Sequence, residues 1–230
     1  MILETIGLPG SGKTYLCNEI EKKLGNNINS LNISRLTSNI FIFKIIKYLF
    51  ILLSSRTKIA RDVKCKVRLV LQQENVKSSF GIYKDESYSV NMICCFILLY
   101  SLLERSKKVY LFDEGIVHTV IKMCADFEFS KETFNSIMNI IESGLKDKNW
   151  VVIYNYIDIE ECLASIKKRN RHVCAFDELS AHDLRLILEY YNEYNEFYYS
   201  TRKTVGVERN KPMNQKIEVI IDKIYNMGVK

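Results

Sequence analysis

Apolar and polar positions fall into short blocks along the chain, and the blocks change period. Residues 1–6 form an almost continuous apolar run and read as a first strand. Residues 13–25 place Leu16, Ile20 and Leu24 on one helical face, and Gly25-Asn26-Asn27 supplies a helix stop. Residues 28–33 alternate weakly and predict a second strand. From about Thr37 to Arg105 the period is mainly helical. There Val63, Val67, Val70 and Leu71 share one face, while Arg61, Lys64 and Arg68 share another. Ser79 to Ser89 reads as a loop, followed by an apolar helix to Leu103. Val109 to Phe112 is a short strand closed by Asp113-Glu114-Gly115, and helices follow near 116–126 and 130–146.

The second half repeats the alternation. Trp150 to Tyr156 is β-branched and aromatic, as a buried strand requires. Asp158 with Glu161 makes a capping-box-like start to a helix that ends on Arg169 and Arg171. A helix over about Ser180 to Ser200, a strand at Thr204 to Val207 and a final helix opened by Pro212 complete the chain. Five strands separated by helices, with little hairpin chemistry, predict an α/β fold: a five-stranded parallel sheet covered on both faces. Such sheets bind ligands at the carboxyl ends of their strands.

Between the first strand and the first helix stands Gly7-Leu8-Pro9-Gly10-Ser11-Gly12-Lys13-Thr14, followed by Tyr15. This is the order of a phosphate-binding loop. Its glycines let successive amides turn toward phosphate oxygens, and the helix N-terminus favours an anion. Lys13 is expected to reach the β- and γ-phosphates of a nucleoside triphosphate, and the Thr14 hydroxyl to ligate Mg²⁺. Asp113, at the end of an apolar strand, is the candidate second Mg²⁺ ligand, and Glu114 the candidate group that orients or deprotonates the attacking oxygen. Lys167-Lys168-Arg169-Asn170-Arg171 is a candidate phosphate clamp, with Arg169 or Arg171 closing over the transferring group.

Composition changes little of this. The 230 residues are 47% apolar and 26% charged, values of an ordinary globular chain, and no linker or repeat divides them. One continuous domain, residues 1–230, is expected, with a helical insertion at about 37–105 and a lid at about 167–179. The net charge of +6 is concentrated between Arg56 and Lys77, where seven basic residues face two acidic ones. The Arg61, Lys64, Arg68 face therefore reads as a solvated face or a clamp for an anionic acceptor. No nucleic-acid module is readable, so no nucleic-acid partner is expected. Seven cysteines without C-x-x-C spacing, and no basic leader before the first strand, predict a reducing, cytoplasmic location. The apolar runs at 40–53 and 91–103 read as core helices: two lysines interrupt the first, and the second is too short to span a membrane. His118, His172 and His182 lack metal-ligand spacing. The aromatic run from Tyr190 to Tyr199 reads as core packing.

The glycine loop, Phe112-Asp113-Glu114, and the passage from Cys162 through Arg171 to Asp177-Glu178 together resemble the nucleoside and nucleotide kinase branch of the P-loop proteins, thymidylate kinase most closely. The resemblance implies a three-layer α/β/α sandwich with sheet order 2-3-1-4-5 and a closing helical lid. It implies that the turn around Arg209, Asn210 and Lys211 lies near the adenine; ATP as phosphoryl donor, with GTP left open, and Mg²⁺ as cofactor are expected from the loop and Asp113. The chain departs from that pattern on the acceptor side. Asp113 is followed by Glu114 where thymidylate kinases have arginine, and the 37–105 segment is longer and differently charged. Arg35, Arg61 and Arg68 are the remaining candidates for the acceptor, which could be a nucleotide, nucleoside or sugar-type molecule. The reading is a small-molecule kinase. The Asp-Glu pair leaves open a P-loop ATPase or nucleotide switch acting on a protein partner, and the sequence leaves a homodimer as one option.

Overall fold

A computed structural model describes residues 1–25, 28–31, 51, 53–54, 56–74, 77–82, 85–104, 106, 108–146, 149–169, 175–208 and 210–226. In chain order the elements are β1 (Ile2–Ile6), α1 (Lys13–Leu24), β2 (Ile28–Leu31), α2 (Lys58–Leu71), α3 (Glu86–Leu103), β3 (Val109–Phe112), α4 (Ile116–Asp126) and α5 (Lys131–Leu145). There follow β4 (Trp150–Tyr156), α6 (Ile159–Arg169), a 3₁₀ turn (Ala175–Glu178), α7 (Ala181–Thr201), β5 (Val205–Glu208) and α8 (Met213–Asn226). The contacts divide these into two compact units: Met1–Leu31, Lys107–Asp113 and Trp150–Lys230 form one, and Asn32–Ser106 with Glu114–Asn149 form the other. The stretch read from sequence as an insertion thus shares its unit with α4 and α5.

The first unit contains a five-stranded parallel sheet in the order β2-β3-β1-β4-β5. Leu3 sits in register with Leu111 on one side and Val151 on the other, so β1 is central. One sheet face carries Leu3, Leu111, Val151, Ile153, Val205 and Val207. Against it pack Leu16, Cys17 and Ile20 of α1 and Ile217 and Ile220 of α8. Each such side chain contributes about 1.5–3 kcal/mol when fully buried. On the opposite face, the Tyr199 ring of α7 lies 5.4 Å from that of Tyr154 in β4. Both faces of β4 are thereby covered, which is why its sequence is apolar without alternation. Tyr191, Tyr194 and Tyr198 of α7 are buried, while Tyr199 remains 46% exposed.

The second unit is helical. Val63, Val67 and Leu71 of α2 are buried, and α2 packs against both α3 and α5. α3 starts at Glu86 rather than Ser89, because the Asp85 carboxylate accepts the Tyr88 amide and caps the helix. That earlier start corrects the length argument made from sequence. The 18-residue helix is long and apolar enough to cross a membrane, but half of it is buried in protein, against α2 and α4. The 40–53 run lies almost wholly outside the described residues. Buried Asp126, at the end of α4, accepts from Ser78 Oγ at 3.0 Å and from the Ile82 amide at 3.2 Å, anchoring the loop before α3.

Candidate active site

The site begins where β1 ends. Gly7, Gly10 and Gly12 all have positive φ (137°, 88° and 86°), so the chain makes a turn closed to most side-chain-bearing residues. The loop is internally braced: the Ser11 amide donates to Leu8 O at 3.1 Å. α1 opens at Gly12 with no side-chain cap and no acidic residue in its first turn. Its leading amides, the positive end of the helix dipole, are therefore not satisfied by a side-chain cap. That is the electrostatic setting an anion needs.

Lys13 is 8% exposed, and its Nζ donates to Gly7 O at 2.9 Å and Leu8 O at 3.0 Å. The ammonium is thus held over the glycine loop and not in bulk solvent. Thr14 Oγ1 donates to Asp113 Oδ2 at 3.2 Å, which joins the start of α1 to the end of β3. Asp113 is buried, and Thr5 Oγ1 donates to its carbonyl oxygen at 3.0 Å. The negative charge of Asp113 is felt below the site. Burial, and next the nearby carboxylate, push the Cys17 thiol up to about 12. Cys17 accordingly stays a neutral packing group.

Two hard oxygens, the Thr14 hydroxyl and the Asp113 carboxylate, stand side by side. Mg²⁺ usually takes one or two protein oxygens and completes its shell with water and phosphate, so this donor pair fits it. No cluster of three or more His, Cys, Asp or Glu that could hold a metal occurs among the described residues.

The other sequence candidates stand in their own elements or lie outside the described residues. Glu114 begins the second unit and sits 3.6 Å from His118 Nε2, one helical turn along. Tyr15 is 59% exposed on α1. Asn210 and Lys211 form an exposed turn after β5, with Lys211 Nζ 3.5 Å from Glu208. Arg61 and Arg68 are exposed on α2, in the second unit, while Lys64 Nζ donates to Asn91 Oδ1 at 2.8 Å. Arg169 ends α6, and Arg35, Arg171, His172 and Arg209 lie outside the described residues.

Sequence reasoning missed the groups that brace the loop from β4 and α6. Buried Asn155 donates from Nδ2 to Ser11 O at 2.7 Å. The Cys162 thiol donates to Pro9 O, and Ser165 lies beside Gly10. The available signal was a single amide inside Trp150-Val-Val-Ile-Tyr-Asn-Tyr156, a polar residue where a buried strand is otherwise apolar.

No family model and no curated protein matches the sequence. Solved structures do. A deoxyadenosine kinase from M. mycoides with bound dATP superposes with a TM-score of 0.56 at 17% identity, covering 98% of this chain and 99% of that one. Thymidylate kinase from Candida albicans superposes with a TM-score of 0.57 at 13% identity, covering 100% and 92%. The fold is that of the P-loop nucleoside and nucleotide kinases. Within this kinase fold the glycine loop, Lys13, Thr14 and Asp113 come together at the carboxyl ends of β1 and β3, where ligands of parallel sheets sit.

Proposed function

We propose that the chain is an ATP- and Mg²⁺-dependent small-molecule kinase. The observation that carries this is the juxtaposition of Lys13, Thr14 and Asp113 around a glycine loop whose helix has no side-chain cap. The loop amides and Lys13 bind the β- and γ-phosphates, with Tyr15, Asn210 and Lys211 toward the base. Thr14 and Asp113 would hold the metal, which would supply charge neutralisation to the triphosphate. Glu114 orients an acceptor oxygen, and Arg169 and Arg171 close over the γ-phosphoryl group as it passes to that oxygen and ADP departs. Such a guanidinium contributes about 10³–10⁵ in rate, or about 4–7 kcal/mol of barrier. The remaining catalysis is positioning and water exclusion by the helical lid of a three-layer sandwich.

The acceptor is a nucleotide, nucleoside or sugar-type molecule. Exposed Arg61 and Arg68 on α2, with Arg35, are its proposed anion contacts. The six described cysteines are free, which suits a reducing cytoplasm. Calorimetry with ATP and GTP in the presence of magnesium, followed by turnover against a panel of acceptors, tests the reading. Saturable triphosphate binding with acceptor-dependent ADP release is expected. Failure of both triphosphates to bind overturns the proposal, and acceptor-independent hydrolysis stimulated by a protein partner replaces the kinase with an ATPase or switch.

A further inference from the structure

Asn155 stands one residue beyond the last β1–β4 pair, Ile6 with Tyr154, and so lies beside Gly7. Its backbone carbonyl occupies the space a Cβ on Gly7 would need, 2.4 Å away. Its side chain crosses to the far limb of the loop and donates to Ser11 O at 2.7 Å. One residue therefore touches both limbs of the loop and sets the distance between them. It is 1% exposed, and its Oδ1 has no hydrogen-bond partner among the described residues. Burying an amide whose carbonyl end is unmet is costly. An apolar residue of similar size would fill the same strand position without that cost, so packing alone does not account for an amide here.

The peptide group explains what the amide does. In a planar trans peptide the carbonyl and the following N–H point in opposite directions. Pinning Ser11 O toward β4 therefore directs the Gly12 N–H to the other side. The same logic applies to Pro9 O, held by the Cys162 thiol, and the Gly10 N–H. Gly10 and Gly12 are the two residues whose backbone freedom would otherwise let those peptides flip. We infer that Asn155 is a positioning residue for the triphosphate: by holding the Ser11–Gly12 peptide it orients an amide toward the phosphates before they arrive. This rests on the nucleotide-binding reading above.

The test compares inorganic tripolyphosphate, ATP and adenosine by calorimetry on the wild type, Asn155→Leu and Asn155→Asp. Wild-type binding of ATP and tripolyphosphate establishes the underlying reading independently, and its absence overturns that reading rather than this one. Given that binding, Asn155→Leu should keep or raise the melting temperature and weaken ATP and tripolyphosphate by roughly three- to tenfold. Adenosine affinity should not change. Asn155→Asp, which replaces the donor by a carboxylate facing Ser11 O, should weaken both anions further. A stable Asn155→Leu or Asn155→Asp that binds both anions as the wild type does overturns the inference, as does equal loss for adenosine. Should neither variant fold, the wild type carries the test by NMR. The Asn155 side-chain amide should be protected from solvent exchange and shift when tripolyphosphate is added. A rapidly exchanging, unshifted amide overturns the inference.

Discussion

Adding one methyl group at Gly7 tests the loop geometry most directly. An alanine Cβ there would stand 2.4 Å from Asn155 O and 3.3 Å from both Asn155 C and Ser11 Oγ, where ordinary contacts begin at 3.4 Å. The shortfall against the carbonyl is about 1 Å, and the obstacle is backbone on a central sheet strand, which cannot rotate away. Gly7 also holds φ at 137°, a region that costs a residue with a Cβ about 1–3 kcal/mol. β1 and β4 must separate locally, or the loop must lift. A displacement near 1 Å at a reacting centre can cost about 10²-fold. Gly7→Ala should therefore melt several degrees lower, bind ATP more weakly and turn over about 10²-fold more slowly. Gly12→Ala is the matched control. A Cβ there meets nothing within 4 Å, so only the strain of φ 86° applies, about 1–2 kcal/mol. Thermal melts read by circular dichroism, with ATP titrations by calorimetry, separate the two. Wild-type melting temperature and ATP affinity in Gly7→Ala would refute the reasoning.

Three further outcomes are expected. Lys13→Ala should keep its fold and lose at least about 10²–10³-fold in turnover, measured as ADP release; normal turnover refutes the assignment of Lys13. Asp126→Ala should lower the urea midpoint by an amount equivalent to about 1–3 kcal/mol, because the Ser78 hydroxyl and the Ile82 amide both lose their acceptor; an unchanged midpoint contradicts the anchoring role. Burial raises the Cys17 thiol from 9.0 to about 12 and Cys94 to about 11. Both are neutral in folded and unfolded chains below pH 9. Above it the unfolded thiols ionise first, and stability is lost toward pH 11–12 at about 1.4 kcal/mol per pH unit per thiol. Denaturation midpoints at pH 8 and pH 10 should fall less steeply in Cys17→Ala/Cys94→Ala than in the wild type, and equal slopes contradict the buried-thiol account.

Several elements were legible from periodicity because local pattern and tertiary demand agree in them. The β4 run, buried on both faces, has no alternation to misread, and α4 and α5 begin and end within a residue of their expected bounds. α3 was misjudged at its start because Ser-Tyr-Ser resembles loop chemistry, whereas the Asp85 cap decides the boundary. The expectation of a single domain rested on the absence of a linker. The chain passes between its two contact units four times, and at one of these crossings, Asp113 to Glu114, the units follow one another directly in sequence.

Read alone, the amino-acid order determined the glycine loop, the acidic residue closing β3 and the alternation of strand with helix. Each of these is local: glycines, a lysine and a threonine at fixed spacing, or a hydrophobic period within a dozen residues. Only the tertiary structure decided that Thr14 meets Asp113 across 99 positions and that Asn155 braces Ser11 across 144. It also decided that Lys13 folds back onto its own loop. Those contacts depend on which strands become neighbours. A parallel sheet pairs segments far apart in the chain, so short-range periodicity carries no record of the pairing.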